Sequence, residues 1–232
     1  MSNEQLIEKQ VDDLYEIDLH SMFYTIQGEG PFAGRPAVFV RLAGCNLQCP
    51  LCDTDYTSKR IKLTPKQLVS RVLELVPETL PRPLVVITGG EPFRQNLYAL
   101  VFWLVAEGFP VQIETNGTLY QELPWADVTV VCSPKTGSLN KKLVPHIAAF
   151  KNVLQAGRVS RDDGLPLLAL GHPNSGRVAR PPRGFSGIIY LQPVDMGSAK
   201  TVDNSHLAAC IRSCMTHGYT LGIQLHKHIN LA

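Results

Sequence analysis

Apolar residues along the chain gather into short runs: Val38 to Leu42, Leu84 to Thr88, Val111 to Glu114, Val128 to Cys132, Phe150 to Leu154, Ile188 to Leu191 and Leu221 to Leu225. Each is rich in β-branched and apolar residues, and several are apolar throughout, as a parallel sheet covered on both faces requires. Between them the apolar spacing changes to three and four. Starting at Thr64, a helix N-cap, with Pro65 in the first turn, Leu68, Val72, Leu75 and Val76 fall on one helical face. A second helix is predicted after Gln95, and a third from about Thr201 to His217, stopped by Gly218. Repeated β/α alternation implies right-handed crossovers, closing into either a doubly wound sheet or a full or partial barrel. Both closures place ligands at the carboxyl ends of the strands.

The residues just past the runs are therefore the ones to read for chemistry. They are Gly44-Cys45, Gly89-Gly90-Glu91-Pro92, Thr115-Asn116-Gly117, Ser133-Pro134-Lys135 and Gln192-Pro193. Two glycines after a strand leave no Cβ to keep a ligand from main-chain hydrogen-bonding groups, and on their own they more often form only a tight turn. Gly171 to Gly184, with Arg177, Arg180 and Arg183, reads as a long, solvated and mobile surface loop. No internal repeat is visible.

Composition narrows the class. With 232 residues, 44% hydrophobic, 18% charged and a formal net charge of +2, the chain has the make-up of one soluble α/β domain. There is no apolar run of about 18 residues and no basic, apolar leader, so a cytoplasmic protein without a membrane span is expected. The balanced charge gives no electrostatic footprint for nucleic acid and favours a small-molecule substrate. A near match to a dinucleotide fingerprint at Gly28, Gly30 and Gly34 has its third glycine misplaced and no suitable strand before it.

Of six cysteines, three crowd into eight residues, Cys45-Asn46-Leu47-Gln48-Cys49-Pro50-Leu51-Cys52. The C-x3-C-x2-C spacing supplies three ligands to a metal centre. A [4Fe-4S] cube held by three thiolates keeps one iron open to a small molecule. Zinc with a fourth ligand from elsewhere and a redox pair of Cys49 and Cys52 are the other readings of the spacing. Cys132, Cys210 and Cys214 lie far away and are expected to be buried and structural.

The cysteine segment, together with Ile87-Thr88-Gly89-Gly90-Glu91-Pro92, resembles the radical S-adenosylmethionine (SAM) superfamily. Further motifs extend the likeness over nearly the whole chain: Thr25 to Gly30, Arg41 to Cys45, Cys52-Asp53-Thr54, Ile113 to Thr118, Ser133-Pro134-Lys135 and the tail Gln224 to Lys227. This order of motifs resembles the 7-carboxy-7-deazaguanine synthase family. The resemblance implies a single domain over residues 1–232, a partial (β/α) barrel of about six β/α units. It also implies an N-terminal substrate-binding segment and a C-terminal closing strand or tail. By the same likeness, Cys45, Cys49 and Cys52 hold a [4Fe-4S] cluster and Thr54 is a Mg2+ ligand. Ile26, Gln27, Gly28, Arg41 and Thr115 meet the pterin substrate. Leu51, Cys52, Asp53, Gly90, Glu91, Gly117, Ser133, Pro134, Lys135 and Gln192 meet SAM, Gln192 heading a stretch that runs to Asp195. A homodimer and a flavodoxin- or ferredoxin-type electron donor are implied as well. Arg41 suits a carboxylate because its guanidinium pairs in a two-pronged fashion; a structural ion pair is the plainer reading. A surface charge is the plainer reading of Lys135. A glycyl-radical enzyme activase would share the cysteine loop, and a non-catalytic zinc or iron-sulfur module would share its thiols.

Overall fold

A computed structural model describes residues 3–77, 81–172, 177–195 and 204–229. The start of the third predicted helix, four residues of the 171–184 loop and the terminal carboxylate lie outside the described residues.

The chain begins with β1 (Ile17–Ile26), β2 (Pro36–Leu42) and β3 (Ile61–Leu63), followed by α1 (Pro65–Leu75) and β4 (Leu84–Gly89). It continues through α2 (Tyr98–Ala106), β5 (Val111–Thr115), β6 (Val128–Cys132) and β7 (Ile147–Leu154). It ends with β8 (Ile188–Pro193), α3 (Asn204–His217), β9 (Thr220–Leu221) and the single turn α4 (Leu225–His228). The nine strands among the described residues form one sheet in the order β3-β1-β2-β4-β5-β6-β7-β8-β9. From β2 to β9 neighbours are parallel, while β1 runs antiparallel to both β2 and β3. The fold is α/β with a mostly parallel sheet, as expected.

Thr64 caps α1 as predicted, in a reciprocal capping box with Gln67. Leu68, Val69 and Val72 are buried on its inner face, whereas Leu75 is substantially exposed. The main core lies between this helix, α2 and one face of the sheet, where Val38, Val40, Val85, Ile87, Ile113 and Val130 join Leu68, Leu100 and Leu104. Side chains alternate along a strand, so the neighbours of these residues point the other way. Those neighbours include Phe39, Arg41, Thr88, Glu114, Lys151 and Gln192, which line a cavity on the other face. The apolar period and the polar site are thus two sides of one alternation.

The expected β/α alternation is only partly helical. The crossovers from β5 to β6 and from β6 to β7 contain single 3-10 turns, Trp125–Asp127 and Val144–His146. No α-helix occurs between β7 and β8 among the described residues. Prolines at 124, 134, 145, 166, 181 and 182 punctuate these connections, removing donors and blocking helical propagation. The sequence pattern misses β1, whose apolar positions are broken by Asp18, His20 and Ser21 and by a register shift between Leu19 and Ser21. The closing strand is corrected too: it stops at Leu221, not Leu225, and Leu225–His228 form a helical turn. There the chain leaves the sheet, and Leu225 N donates to Gly28 O (3.0 Å) in the loop after β1. The tail thereby bridges toward the far side of the open sheet.

Candidate functional site

The cysteine loop follows β2, and its shape depends on the glycines after β4. A Cβ on Gly89 would stand 2.2 Å from Leu42 O, and one on Gly90 would stand 2.2 Å from Gly44 O and 2.8 Å from Cys45 Cβ. Gly89 also has a φ of +131°. These glycines therefore admit the cysteine loop itself, and the contact is sealed by Glu91 N donating to Gly44 O (3.0 Å).

Glu91 is fully buried, and both of its carboxylate oxygens accept hydrogen bonds. The donors are Phe93 N (3.0 Å) and Thr115 Oγ1 (2.7 Å) on one oxygen and Asn116 N (2.7 Å) on the other. Burial pushes its pKa up to about 7 against these three bonds. Glu91 thus ties the glycine turn to the end of β5.

The thiols of Cys45, Cys49 and Cys52 all border one cavity of about 660 Å3. Burial, with the Glu91 carboxylate adding to it, raises the Cys45 thiol to about 12, and burial raises Cys49 to about 11. Cys52 is also raised, chiefly by burial. The groups are neutral thiols at neutral pH unless a metal takes the place of the protons. No three His, Cys, Asp or Glu side chains among the described residues converge on a single ion. Zinc would demand such convergence, with sulfurs held about 2.3 Å from one centre. A cubane takes one thiolate per iron, so its ligands stand further apart, and three thiols with no fourth at the cavity fit it.

The same cavity gathers Ile26, Gln27, Arg41, Leu51, Asp53, Thr54, Gly90, Thr115, Ser133, Lys135 and Gln192. Four predicted site residues stand behind the lining. Gly28 lies against the tail, where a Cβ would meet His226 Nδ1 at 2.2 Å. Gly117 has a φ of +83° and packs over Cys132 Sγ, and Glu91 and Pro134 are buried beneath the wall. Arg41 has no carboxylate partner among the described residues. Its Nε is buried without a hydrogen bond, and its guanidinium lies over the Phe23 ring at 5.5 Å. The structural ion pair is therefore absent, and an unsatisfied cation faces the cavity. Lys135 is not a solvated surface charge: it donates to Ser133 O (2.8 Å), and burial lowers its pKa.

The sequence reading missed a buried ionic group in the wall of the same cavity. Lys151 Nζ pairs with Glu29 and with Glu114 Oε2, the latter at 2.8 Å. Burial alone would depress Lys151, but the two carboxylates outweigh it and hold the ammonium charged. Glu29 is held below its ordinary value because Lys151 overcomes the burial penalty. Gln192 (3.1 Å) and Gln224 (2.8 Å) also donate to Glu29, and Gln27 donates to Glu114 (3.1 Å). One network thus joins the loop after β1, three strands and the tail. His226 and Lys227 reach the cavity from that tail, and Lys227 pairs with Asp195 and with Asp53 (3.5 Å). Of the remaining cysteines, Cys132 and Cys210 are buried in separate core clusters, and the half-buried Cys214 packs against the cluster that holds Cys210. In the described part of the long loop, Arg180 is held by Asp163 (2.8 and 3.1 Å) beside the buried Val178 and Ala179, while Arg177, paired with an exposed Asp162 (2.7 Å), and Arg183 are solvated as expected.

A loop of three cysteines packed on a glycine turn at the strand ends of a partial barrel defines a class. Residues 39–173, more than half of the chain, match the model of the Radical SAM superfamily, and the chain belongs to it. Within that class it is 44% identical over 222 residues to the 7-carboxy-7-deazaguanine synthase of Rhodospirillum rubrum, spanning 92% of each. It is 34% identical over 224 residues to that of Rickettsia prowazekii, spanning 93% of this chain and 89% of the relative. The crystal structure of QueE from Escherichia coli shares the fold, with a TM-score of 0.67, 24% identity, and coverage of 91% of this chain and 95% of that one. The chain belongs to the 7-carboxy-7-deazaguanine synthase family.

Proposed function

We propose that the chain converts 6-carboxy-5,6,7,8-tetrahydropterin to 7-carboxy-7-deazaguanine and ammonia, a ring contraction begun by a SAM-derived radical. The observation that carries this reading is a single cavity lined both by the three cysteines and by Arg41, whose Nε is buried without a hydrogen bond. With the [4Fe-4S] cluster and SAM bound, one-electron cleavage of the sulfonium supplies a 5'-deoxyadenosyl radical. The protein's own part is to bind, orient and exclude water. Arg41 takes the substrate carboxylate, an interaction that leaves no buried guanidinium unpaired. Gln27, Thr115 and the Glu29–Lys151–Glu114 group offer donors and acceptors to the pterin ring. Thr54, whose side chain borders the cavity, would offer its hydroxyl to a bound Mg2+, which would steady negative charge on the substrate. Ser133, Lys135 and Gln192 stand on the SAM side, and the tail carrying His226 closes the mouth.

The same reading takes residues 1–232 as one domain with an N-terminal substrate segment and a C-terminal closing tail. It assigns a flavodoxin- or ferredoxin-type donor, a homodimer and a cytoplasmic setting; no described helix is long and apolar enough to cross a membrane. The test is anaerobic incubation of the reconstituted protein with dithionite, SAM, Mg2+ and the pterin, following product mass. SAM cleavage with an unchanged pterin would remove the substrate assignment and leave a different radical SAM reaction.

A further inference from the structure

The segment before β1 is patterned in reverse. Asn3, Gln5 and Glu8 turn inward, while Leu6 and Ile7 are 75% and 61% exposed. Apolar burial does not hold this arm down, so its polar contacts must, and these converge on the cysteine loop. Glu8 N donates to Cys45 O (2.7 Å), Asn3 Nδ2 to Cys49 O (3.1 Å) and Asn3 N to Pro50 O (3.2 Å). Gln5 reaches both flanks of the loop. Its Nε2 donates to Thr54 O (2.9 Å), its Oε1 accepts from Tyr56 N (2.7 Å) and Thr57 Oγ1 (3.1 Å), and its carbonyl accepts from Gln48 Nε2 (2.9 Å). Further along, Val11 N donates to Arg94 O (2.7 Å) and Gln10 Nε2 to Phe93 O (2.9 Å), next to the Gly-Gly-Glu-Pro turn.

We propose that residues 3–11 form a strap that keeps the cysteine loop in its ligating shape, with Gln5 as its positioning residue. A loop between two turns has little secondary structure of its own to fix three thiols at a set separation, and its backbone groups need partners. The strap provides those partners, from outside the motif, at the ligands Cys45 and Cys49 and at Thr54, two residues beyond Cys52. It also lies over the loop, so that opening the loop to solvent requires the strap to lift. The proposal rests on the three cysteines being the cluster ligands.

The test uses the full chain as wild type, Gln5→Ala, Gln5→Glu and Leu6→Ser. After anaerobic reconstitution, iron content and the rate of iron removal by bathophenanthroline disulfonate are measured. In iron-free protein, iodoacetamide labelling is mapped cysteine by cysteine. Gln5→Ala should lose iron about tenfold faster, which is ~1.4 kcal/mol, in line with the loss of one or two net hydrogen bonds. Labelling of Cys45, Cys49 and Cys52 should rise to match, with Cys132 and Cys210 unchanged. Gln5→Glu keeps the acceptor side and loses the donor to Thr54 O, so it should fall between. Leu6→Ser should match wild type. Gln5→Ala behaving as wild type in both assays overturns the strap, as does equal acceleration at all six cysteines, which marks general destabilisation. A wild-type chain that takes up no iron would instead remove the cluster assignment, and the labelling pattern would still judge the strap.

Discussion

Replacing Lys151 with Met isolates the buried ionic group. In the native protein one ammonium stands between Glu29 and Glu114, and all three side chains are at most 16% exposed. Methionine keeps most of the volume but leaves two carboxylates with no cation between them. Removing one partner of a buried pair costs about 3–5 kcal/mol, because the stranded charge cannot be solvated. With an m-value of about 3 kcal/mol/M, that is a fall of roughly 1–2 M in the urea midpoint.

The pH dependence should also change sign. The native Glu29 has a folded pKa below its ordinary 4.5, so its contribution is present above that value and is lost as pH falls toward the folded pKa. Without Lys151, burial raises Glu29 above its unfolded value. Its contribution is then present below about pH 4.5 and lost as pH rises through the raised value. Urea melts of iron-free wild type and K151M at pH 5, 6 and 7 measure this. In that window the variant should lose stability with rising pH relative to wild type. A midpoint within 0.3 M, roughly 1 kcal/mol at that m-value, or parallel pH profiles would show that the network does not behave as a buried ion group.

Three other outcomes are expected. Gly90→Ala puts a Cβ 2.2 Å from Gly44 O, so the cysteine loop must shift; iron uptake on reconstitution should fall several-fold, and wild-type uptake would show that the turn does not shape the loop. Arg41→Gln should lower kcat/KM for the pterin about 10- to 100-fold, on the ~1.5–3 kcal/mol of a hydrogen bond to a charged group, with SAM cleavage retained. An unchanged kcat/KM would remove Arg41 from the substrate site. Because burial raises Cys45 and Cys49 above the ordinary thiol value of 9.0, iron-free protein should lose stability as pH climbs from about 9 through the folded values, and bound cluster should cancel that slope. Calorimetry of the two forms from pH 7 to 10 checks it.

What could be read from the sequence was whatever lies close together along the chain. The cysteine motif occupies eight consecutive residues, and the strand-end motifs are each two to six long, so their chemistry survives without knowing the fold. The apolar runs located β2 and β4 to β8 because those strands are buried on at least one side. The helices of the middle crossovers were inferred from alternation alone, and prolines prevent them. Lys151 was passed over because its partner Glu29 lies 122 residues away. Its signal was nevertheless present: a lysine inside the predicted strand Phe150 to Leu154 must either end the strand, face solvent or meet a buried anion. Glu91 was read as a ligand contact and Gly89-Gly90 as ligand clearance. Both serve the neighbouring backbone first, which only the register of β2 beside β4 reveals.

The charges around the cavity explain why one pocket can hold an electron-rich cluster and an anionic substrate at once. Lys151 lies between Glu29 and Glu114, and Lys227 lies between Asp53 and Asp195. Each group holds one cation and two carboxylates, so each is short of one positive charge. Arg41 and Lys135 stand outside both groups and restore the balance of the lining. Their placement differs in kind. Lys135 is close enough to lower the Cys49 and Cys52 thiols electrostatically, which favours the thiolate form that a metal centre requires. Arg41, on the β2 strand behind the cysteine loop, stacks on Phe23 with a buried Nε unsatisfied. On the proposed reading, an arriving substrate carboxylate gives that guanidinium a partner, so Arg41 serves the substrate while Lys135 serves the thiols.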